Sequence, residues 1–524
     1  MRSCLTWLLI SALFACNSNG KEQHEKEQPI ADSLLLQEIA GNFSNAQDIQ
    51  LDSIAIVRFL QTYVHFDAFR KDIFRFYINR NYAMAWFDST GMIEQAGLLY
   101  NRIVNMKEDG LPLDIPYMDE YVVLMSSADE SNKVFTELMQ TAQYLHFAQK
   151  LISGISEVDS KSLEWNIPRK KIDHAKLLQQ LLEGDTSSEV RQFFPQYYLL
   201  KKKLAEYHQI ENDGGWDSIP VVKKTIRLGD SGRNITAIKK RLFATGLYAS
   251  TDTSVYFNQA LEEAVIQFQQ AHGLKPDGIV NKSTILEFNV SVRNRIQQIM
   301  LNMERCRWLP HLVSAKYLLV NIPQFKLYVY DENGLVFNSK VVVGKETNRT
   351  AIFKGDMKYV VFSPYWNVPP NIMKKEVLPA IKRNSQYLIE NKMEWHGNII
   401  RQVPGPWNAL GGVKFVFPNG YDIYLHDTPS KSLFNESSRT FSHGCIRISE
   451  PKKLAMYLLA DQVQWTSQAV DSAMSSRIEK FVPLKKPVPV YVVYFTAFVD
   501  ADGVLNFSKD VYGRDLQLKK MILN

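Results

Sequence analysis

Tyr421-Asp-Ile-Tyr-Leu-His426 and Ser442-His-Gly-Cys-Ile-Arg447 are the two stretches that decide the fold of the C-terminal part of this chain. The dipeptide Asn419-Gly420, just before the first stretch, predicts a type I′ hairpin turn. Because side chains alternate along a strand, we expect two opposite faces after that turn. The residues predicted to face a core are Tyr421, Ile423 and Leu425, and those predicted to line a cleft are Asp422, Tyr424 and His426.

Further β-prone segments lie on both sides of these stretches and predict a mainly β domain over residues 315–524. They are Tyr317-Leu-Leu-Val-Asn-Ile322, Lys326-Leu-Tyr-Val-Tyr330, Val341-Val-Val343, Tyr359-Val-Val-Phe362 and Val488-Pro-Val-Tyr-Val-Val-Tyr494. Residues 369–407 interrupt the pattern, and their sequence indicates an inserted segment of helix and loop.

Cys445 is the candidate nucleophile of this domain. It follows His426 by 19 residues and comes directly after Gly444. A cysteine attacks as the thiolate, so it needs a nearby base or a depressed pKa. His426 on the strand and His443, two residues before the cysteine, are both candidates for that base. Because Gly444 is small, a substrate carbonyl can approach the thiol, and backbone N–H groups are left free to form an oxyanion hole.

Two roles without catalysis fit the same residues. Cys445, His443 and His426 could ligate a metal ion, or the cysteine could be structural. A structural zinc site normally has four ligands, and no fourth Cys or His accompanies these three within the motif. We therefore predict neither a metal nor any other cofactor.

Two helical regions are predicted before the β domain. Residues 32–216 show helical periodicity without titratable residues at catalytic spacing, which predicts a scaffold domain. Its apolar stripe consists of Phe135, Leu138, Met139, Ala142, Leu145 and Ala148. Residues 224–289 predict a compact module of three helices, with Asn281 as the cap of the third. The face of its second helix carries Leu261, Ala264, Val265 and Phe268.

The N-terminus has the pattern of an export signal. Arg2 precedes an apolar stretch that ends at Ala15, which suits a signal-peptide core and is too short to span a bilayer. Ala15 before Cys16 resembles a bacterial lipobox, and an ordinary signal peptide with an incidental cysteine is the alternative. We expect residues 1–15 to be removed, Cys16 to be lipidated, and residues 16–31 to form a tether in the periplasm.

The composition of the chain excludes some classes of protein. The 524 residues suggest about three domains, and a hydrophobic content of 45% excludes a wholly disordered chain. The net charge of +6 is small for this length, so a nucleic-acid binder is not expected. Once Cys4 is removed and Cys16 is lipidated, Cys306 and Cys445 remain as thiols. We expect no disulfide between them, because it would cap the nucleophile, and we expect Cys306 to pack as a small apolar residue.

Parts of the sequence resemble known families. Four segments of the 224–289 module are similar to the three-helix peptidoglycan-binding domain: Leu228-Gly-Asp-Ser-Gly232, Ala264-Val-Ile-Gln-Phe-Gln269, His272-Gly-Leu274 and Asp277-Gly-Ile-Val280. His426 followed by Ser442-His-Gly-Cys445 resembles the catalytic signature of the L,D-transpeptidases. The exported chain as a whole resembles the large YcbB-type members, which combine a helical scaffold, a peptidoglycan-binding module and a catalytic domain with a capping insertion. That resemblance rests also on Arg305-Cys-Arg-Trp-Leu-Pro310, Pro364-Tyr-Trp-Asn-Val-Pro-Pro370, Pro404-Gly-Pro-Trp-Asn-Ala-Leu-Gly411 and Tyr421-Asp-Ile-Tyr-Leu-His-Asp-Thr-Pro-Ser430.

The resemblance implies a role for each candidate residue. Cys445 matches the nucleophile and His426 the general base, with His443 shaping the pocket. The resemblance also implies that the N–H groups of Gly444 and Cys445 form the oxyanion hole. Tyr424 and Arg447 would line the pocket, and Arg447 would pair with a carboxylate of the stem peptide or form a structural salt bridge. The further candidates for the pocket are Trp366, Asn367 and Asn408. What orients His426 is left open, since the side chain of the adjacent Asp427 would point to the other face of a continuing strand.

The resemblance also implies a reaction. Cys445 would cleave a tetrapeptide stem of peptidoglycan, release D-Ala and form a thioester, which an amine of a neighbouring stem would resolve into a 3→3 cross-link. With water as the acceptor the enzyme would be an L,D-carboxypeptidase, and with other amines it would exchange D-amino acids or anchor proteins. Acylation by carbapenems is expected from the same chemistry. The competing class is a non-catalytic wall-binding lipoprotein that uses the 224–289 module.

Overall fold

The computed structural model describes residues 49–127, 130–182, 193–221, 224–249, 252–310 and 316–523. The predictions for residues 1–15, for Cys16 and for the tether at 16–31 lie outside these residues. In the part of the chain that the structure describes, no helix is both long enough and apolar enough to cross a membrane.

The first described region is mainly helical, as the periodicity predicts. Its helices are α1 Ser53–Thr62, α2 Arg70–Asn79, α3 Glu94–Val104, α4 Met118–Ser126, α5 Lys133–Ala148, α6 Glu157–Ser162, α7 His174–Leu182 and α8 Gln196–Asn212. A short hairpin of β1 Phe87–Asp88 and β2 Gly91–Met92 lies between α2 and α3.

Helix α5 differs from the predicted amphipathic helix because polar residues are buried on it too. Glu137 is fully buried, and its carboxylate accepts hydrogen bonds from the backbone N–H groups of Ala85 (2.6 Å) and Trp86 (2.9 Å). It also accepts one from the hydroxyl of Tyr77 at 2.8 Å. A buried polar group costs little when its hydrogen bonds are satisfied, so α5 can be enclosed by the scaffold on nearly every side.

The middle region is the predicted three-helix module, followed by a long connecting helix. The helices are α9 Arg233–Ala244, α10 Gln259–Ala271, α11 Lys282–Phe288 and the connecting helix α12 Val292–Trp308. Asn281 caps α11, as predicted, by accepting a hydrogen bond from the Thr284 N–H at 3.1 Å. Helix α12 packs against α8 and carries Cys306, which is completely buried and has a free thiol.

The last region is built on a large sheet, as the β-prone segments predict. Its strands are β3 Tyr317–Asn321, β4 Lys326–Asp331, β5 Gly334–Gly344, β6 Phe353–Phe362, β10 Val413–Val416, β11 Leu425–His426, β12 Thr440–Ser442, β13 Ile446–Ile448 and β14 Lys480–Val493. In the described residues, the strand order is β12-β5-β13-β11-β10-β6-β14-β3-β4. The sheet curls, because β5 pairs with β4 along its first part and with β13 and β12 near its end.

Helices flank the sheet, and the chain ends beside the sheet. The flanking helices are α16 Pro451–Leu458 and α17 Ser467–Ser475, and the C-terminal elements are β15 Ala497–Val499, β16 Leu505–Phe507 and α18 Arg514–Ile522. Arg514 joins this end to the scaffold region, since its guanidinium donates to the carboxylate of Glu164 at 2.6 Å.

The insertion at 369–407 contains more than the predicted helix and loop. Its helices α13 Pro370–Ile372, α14 Leu378–Arg383 and α15 Tyr387–Glu390 are accompanied by a three-stranded sheet. The strands of this sheet are β7 Trp366–Asn367, β8 Met393–His396 and β9 Ile399–Gln402, in the order β7-β9-β8. Strands of two to four residues are too short to show a clear alternation in the sequence, which is why the pattern did not predict them.

Candidate active site

Strand pairing brings the predicted histidine and cysteine to one cleft. Strands β11 and β13 are parallel neighbours, with His426 opposite Arg447. Cys445 directly precedes β13, so it lies beside β11 at the mouth of a cavity of about 480 Å³. The lining of this cavity includes Tyr424, His426, His443, Cys445 and Arg447. The structure therefore places five of the predicted site residues together.

The segment before His426 is a loop rather than the predicted strand. Asp422 has a positive φ of 54°, and strand β11 begins only at Leu425. The side chain of Asn419 holds the loop, because its amide donates to the carbonyls of Phe417 (2.6 Å) and Ile423 (2.7 Å). The prediction of a two-residue type I′ turn followed at once by a strand is therefore wrong, although Asp422, Tyr424 and His426 all line the cleft.

Cys445 is half-buried, and its thiol is a poor acid in the resting site. The Sγ–H group donates to the backbone carbonyl of Asp422 over 3.6 Å. Burial raises the pKa of the Cys445 thiol, while hydrogen bonds with Tyr424 oppose that rise. The thiol is therefore protonated at neutral pH and needs a base in order to attack.

His426 is buried and is held in one tautomer. Its Nδ1 lies 2.5 Å from the backbone carbonyl of Asp427. A carbonyl oxygen only accepts hydrogen bonds, so Nδ1 carries the proton and Nε2 keeps a free lone pair in the neutral ring. Burial, with the positive charge of Arg447 as the next cause, lowers the pKa of His426 to about 3. The carbonyl of Asp427 thus supplies the orienting group that the sequence left open.

The carboxylate of Asp427 fixes the position of that carbonyl. It accepts hydrogen bonds from the backbone N–H groups of Thr428 (2.7 Å) and Gly412 (2.9 Å) and pairs with Lys431. A Cβ atom on Gly411 would come within 2.3 Å of this carboxylate. The loop at 411–412 therefore has room for Asp427 only because Gly411 has no side chain.

The turn that carries the nucleophile is braced by Ser442. Its hydroxyl donates to the carbonyl of Cys445 at 2.6 Å and accepts from the N–H of Gly444 at 3.1 Å. The Gly444 N–H is thus already bonded, which differs from its predicted place in an oxyanion hole. Gly444 has a φ of 119°, a conformation that favours glycine. Glycine at this position is therefore required by the turn.

Two residues that the sequence did not indicate, Thr350 and Tyr512, stabilise the same turn through hydrogen bonds. The hydroxyl of Thr350 donates to the carbonyl of Gly444 at 2.8 Å and accepts from the N–H of Gly344 at 2.9 Å. The hydroxyl of Tyr512 donates to the carbonyl of Gly344 at 2.7 Å and accepts from the N–H of Thr350 at 3.3 Å. Because Tyr512 is 67 residues beyond Cys445 in the chain, no local pattern could reveal this contact.

His443 connects the turn to the capping insertion. Its Nε2 lies 2.9 Å from the carboxylate of Glu376, which belongs to the insertion, and both side chains are partly exposed. Glu376 and His443 both line the cavity, so this contact joins the insertion to the nucleophile turn within the cleft, whereas His426 is buried in the cleft wall.

Arg447, like Lys375, is a cationic residue in the lining of the cleft. No ion pair joins it to a carboxylate among the described residues, and its buried Nε has no hydrogen-bond partner there. Burial lowers the pKa of Arg447, and the nearby Cys445 opposes this. The structural salt bridge considered as an alternative is absent from the described part of the chain.

The three further pocket candidates have different outcomes. Trp366 lines the cavity. Asn367 is exposed and lies outside the lining, so the structure does not support its predicted place there. Asn408 is completely buried, and its amide donates to the carbonyls of Pro364 and Val403, each at 3.0 Å. Its predicted place in the pocket is wrong, because the side chain is buried outside the lining and bonded to backbone carbonyls.

Metal ligands do not cluster in the described residues, where no group of three His, Cys, Asp or Glu side chains is arranged to hold an ion. Cys306 is not among the residues that line the cleft. Burial raises the pKa of the Cys306 thiol far above its ordinary value.

Three family models match successive parts of the chain. Residues 315–489 match the model described as "L,D-transpeptidase catalytic domain". These residues are therefore similar to the catalytic domain of the L,D-transpeptidases. Residues 71–204 match a "Scaffold domain", and residues 231–286 match a "Putative peptidoglycan binding domain". The three matches agree in order with the predicted scaffold, module and catalytic regions.

Individual proteins of similar sequence match only parts of the chain. A Haemophilus influenzae protein described as "Putative L,D-transpeptidase" is 30% identical over 251 residues, which are 44% of this chain and 50% of that protein. The chain thus spans half the length of that relative. A Staphylococcus aureus "Probable CtpA-like serine protease" is 45% identical over 65 residues, 12% of this chain and 13% of that protein.

Among solved structures, an L,D-transpeptidase from Stackebrandtia nassauensis is 14% identical and covers 52% of this chain and 96% of that one, with a TM-score of 0.24. An L,D-transpeptidase from Mycobacterium smegmatis is 13% identical and covers 34% and 59%, with a TM-score of 0.20. Scores this low do not establish a common fold.

Proposed function

We propose that the protein is an L,D-transpeptidase that acts on the stem peptides of peptidoglycan through Cys445. The observation that carries this proposal is the pairing of a cleft thiol with a buried neutral histidine whose free Nε2 is fixed by the Nδ1–H bond to Asp427. The family match of residues 315–489 supports the same reaction class.

The acylation step uses the two side chains in sequence. His426 Nε2 accepts the proton from the Cys445 thiol as Sγ attacks the carbonyl carbon of the third stem residue. The new Sγ–C bond replaces the C–N bond to D-Ala, and the imidazolium returns its proton to the departing amine. No hydrogen bond joins the His426 and Cys445 side chains in the described site. Such bonds are often formed only when substrate binds.

The oxyanion would be stabilised by backbone donors of the cysteine turn. Because Ser442 already accepts the Gly444 N–H, the N–H of Cys445 is the remaining donor of the predicted pair. Arg447 supports binding of an anionic stem peptide, since it is a cation in the cleft without a carboxylate partner among the described residues.

The acceptor in the second step is an amine on the third residue of a neighbouring stem, which gives a 3→3 cross-link. The amine nitrogen attacks the thioester carbon, the Sγ–C bond breaks, and the thiol recovers a proton from the amine by way of His426. Water in place of the amine would make the protein an L,D-carboxypeptidase.

Muropeptide analysis with the purified protein tests this function. Incubation with disaccharide-tetrapeptide should release D-Ala and yield 3→3 cross-linked dimers, and Cys445→Ala protein should yield neither. Tripeptide products alone would identify the carboxypeptidase. Unchanged tetrapeptide in the presence of folded wild-type protein would refute the proposal and favour the wall-binding lipoprotein.

We also propose that Cys16 carries a lipid and that the protein works at a membrane in the periplasm. The support is the sequence pattern around Ala15 and Cys16. Labelling of cells with a palmitate analogue should mark the wild-type protein and not the Cys16→Ser variant. Equal labelling of both would contradict the anchor.

A further inference from the structure

A second cleft lies between the three-helix module and the catalytic region. It has a volume of about 290 Å³. One wall consists of residues 270–276 of the module. The other comes from residues 323–326, 434–439 and 506–509 of the catalytic region, together with Lys340 and Val511. We call it the module cleft. It shares no lining residue with the cleft of Cys445.

The lining of the module cleft is strongly basic. It contains five cationic side chains and a single acidic one, Glu436. The cations are Lys275, Lys326, Lys340, Arg439 and Lys509. Lys275 is paired with Asp277 at 3.3 Å. For the other four, no carboxylate lies within ion-pairing distance among the residues that the structure describes.

Arg439 is built into the cleft wall. Its guanidinium donates to the carbonyls of Val341 (3.1 Å), Glu436 (2.8 Å) and Phe325 (3.1 Å). Three of its five N–H bonds are thus used, which leaves two without a protein partner in the described chain. Burial lowers the pKa of Arg439 to about 10, and no neighbouring anion offsets this.

Lys326 adds a second partly buried cation close to Arg439. Burial lowers the pKa of Lys326, Asp500 opposes this, and the charge of Arg439 lowers it further. Two like charges held together away from water destabilise each other. An anion bound between them would relieve this repulsion, which is the energetic reason to expect a ligand here.

We propose that the module cleft binds a carboxylate-bearing segment of a peptidoglycan stem peptide, in addition to the stem that reacts with Cys445. This rests on the proposed function, because the stem carboxylates are the anions that its substrate supplies. Arg439 directly precedes strand β12, which leads into His443, Gly444 and Cys445. A stem held in the module cleft is therefore anchored to the segment that carries the nucleophile.

Charge reversal at the rim of the cleft tests the proposal without touching its buried wall. Lys340 and Lys509 are exposed lining residues, so Lys340→Glu with Lys509→Glu should leave the fold intact. The matched control is Lys358→Glu with Lys486→Glu, which changes the net charge equally at exposed positions outside both clefts. Full-length proteins are compared by co-sedimentation with purified sacculi at low ionic strength, where screening is weak.

The rim variant should bind native sacculi at least about tenfold more weakly than wild type, since charges at an interface rim contribute through electrostatic attraction. The control variant should stay within about twofold of wild type. Sacculi whose carboxylates have been converted to amides should bind the wild-type protein as weakly as native sacculi bind the rim variant. Equal loss in the control, unchanged binding of the rim variant, undiminished binding to amidated sacculi, or no binding by wild type would each overturn the proposal.

Carbapenem acylation of the same proteins separates this inference from the proposed function. The rim variant should form the covalent adduct as fast as wild type, because its substitutions lie outside the Cys445 cleft. Wild-type protein that binds sacculi through the rim lysines and forms no adduct would leave the module cleft supported and refute the transpeptidase.

Discussion

The surroundings of Cys445 and of Cys306 show how differently the fold treats two free thiols. Cys306 lies between Arg305 and Arg307 in sequence, which would be expected to favour a thiolate. The structure instead buries it completely, and both arginines are paired elsewhere, Arg305 with Asp515 and Arg307 with Glu304. Cys445 lies in a cleft that is also lined by a neutral histidine and by Arg447, which has no carboxylate partner in the described part of the chain. Tertiary placement, and not the flanking charges, therefore distinguishes the reactive thiol.

Replacement of Cys445 by alanine should have the largest effect. Acyl-enzyme formation should be abolished, because no other thiol lies among the described residues that line the cleft. Stability should change little, since removing one sulfur atom from a half-buried position creates a small cavity at most. Mass spectrometry measures the adduct, and thermal unfolding checks the fold. Turnover at the wild-type rate in this variant would refute the assignment.

The second largest effect should be the difference in acylation rate between variants of the two histidines. His426→Asn should lower the acylation rate by about two to four orders of magnitude, the usual contribution of a general base. His443→Asn should lower it much less, because His443 is engaged with Glu376 of the insertion. Stopped-flow acylation of both folded variants measures the difference. A far larger loss in His443→Asn would reverse the roles and make His443 the base.

The sequence predicted the fold class from strand periodicity. It predicted that His426 and Cys445 lie in one cleft from a short motif beside a glycine. Both predictions depend on local patterns. The sequence did not predict features that depend on contacts between residues far apart in the chain or on irregular backbone conformation. Asn408 was predicted to line the pocket, but its amide donates hydrogen bonds to the backbone carbonyls of Pro364 and Val403. The positive φ of Asp422 ends the predicted strand. The hydrogen bonds of Tyr512 with Gly344 and Thr350 depend on tertiary packing, which the sequence around Cys445 does not indicate.

Tyr512→Phe tests whether the nucleophile turn is held from behind. The substitution removes both hydrogen bonds of the Tyr512 hydroxyl. At about 1 kcal/mol for each neutral bond, the loss corresponds to about thirtyfold in rate if it acts fully on the transition state. We expect the maximal acylation rate to fall by this factor, with little change in the ligand concentration at half-maximal rate. Tyr457→Phe is the matched control, since its hydroxyl bonds the carbonyl of Tyr330 at 3.3 Å and lies outside the turn. An equal loss in both variants would show that Tyr512 has only a general structural role.

The pH dependence should reveal the neutral state of His426. Its pKa of about 3 means that the ring stays unprotonated when the pH falls from 7 to 5. The acylation rate of the wild type should therefore fall by less than about twofold in this range, with loss of the base only below about pH 4. A decline centred between pH 6 and 7 that disappears in His426→Asn would contradict the buried, neutral base.

Cys306→Ser should have the smallest effect on activity. Acylation should be unchanged, while the free energy of unfolding should fall by about 1–3 kcal/mol because a hydroxyl is buried where a thiol packed. Denaturant unfolding measures the stability, and peptide mapping without reductant checks the pairing of the thiols. A peptide linking Cys306 to Cys445 in active protein would contradict two independent thiols.

The most direct measurement of the central claim is the mass of the wild-type protein after incubation with a carbapenem. Attack by Sγ opens the β-lactam ring, and the ring nitrogen takes the proton, so the whole carbapenem is retained. We predict a mass increase of one carbapenem, mapped to the peptide that contains Cys445 and absent from Cys445→Ala protein. No adduct on the folded wild type, or an adduct that persists in the Cys445→Ala variant, would contradict the account.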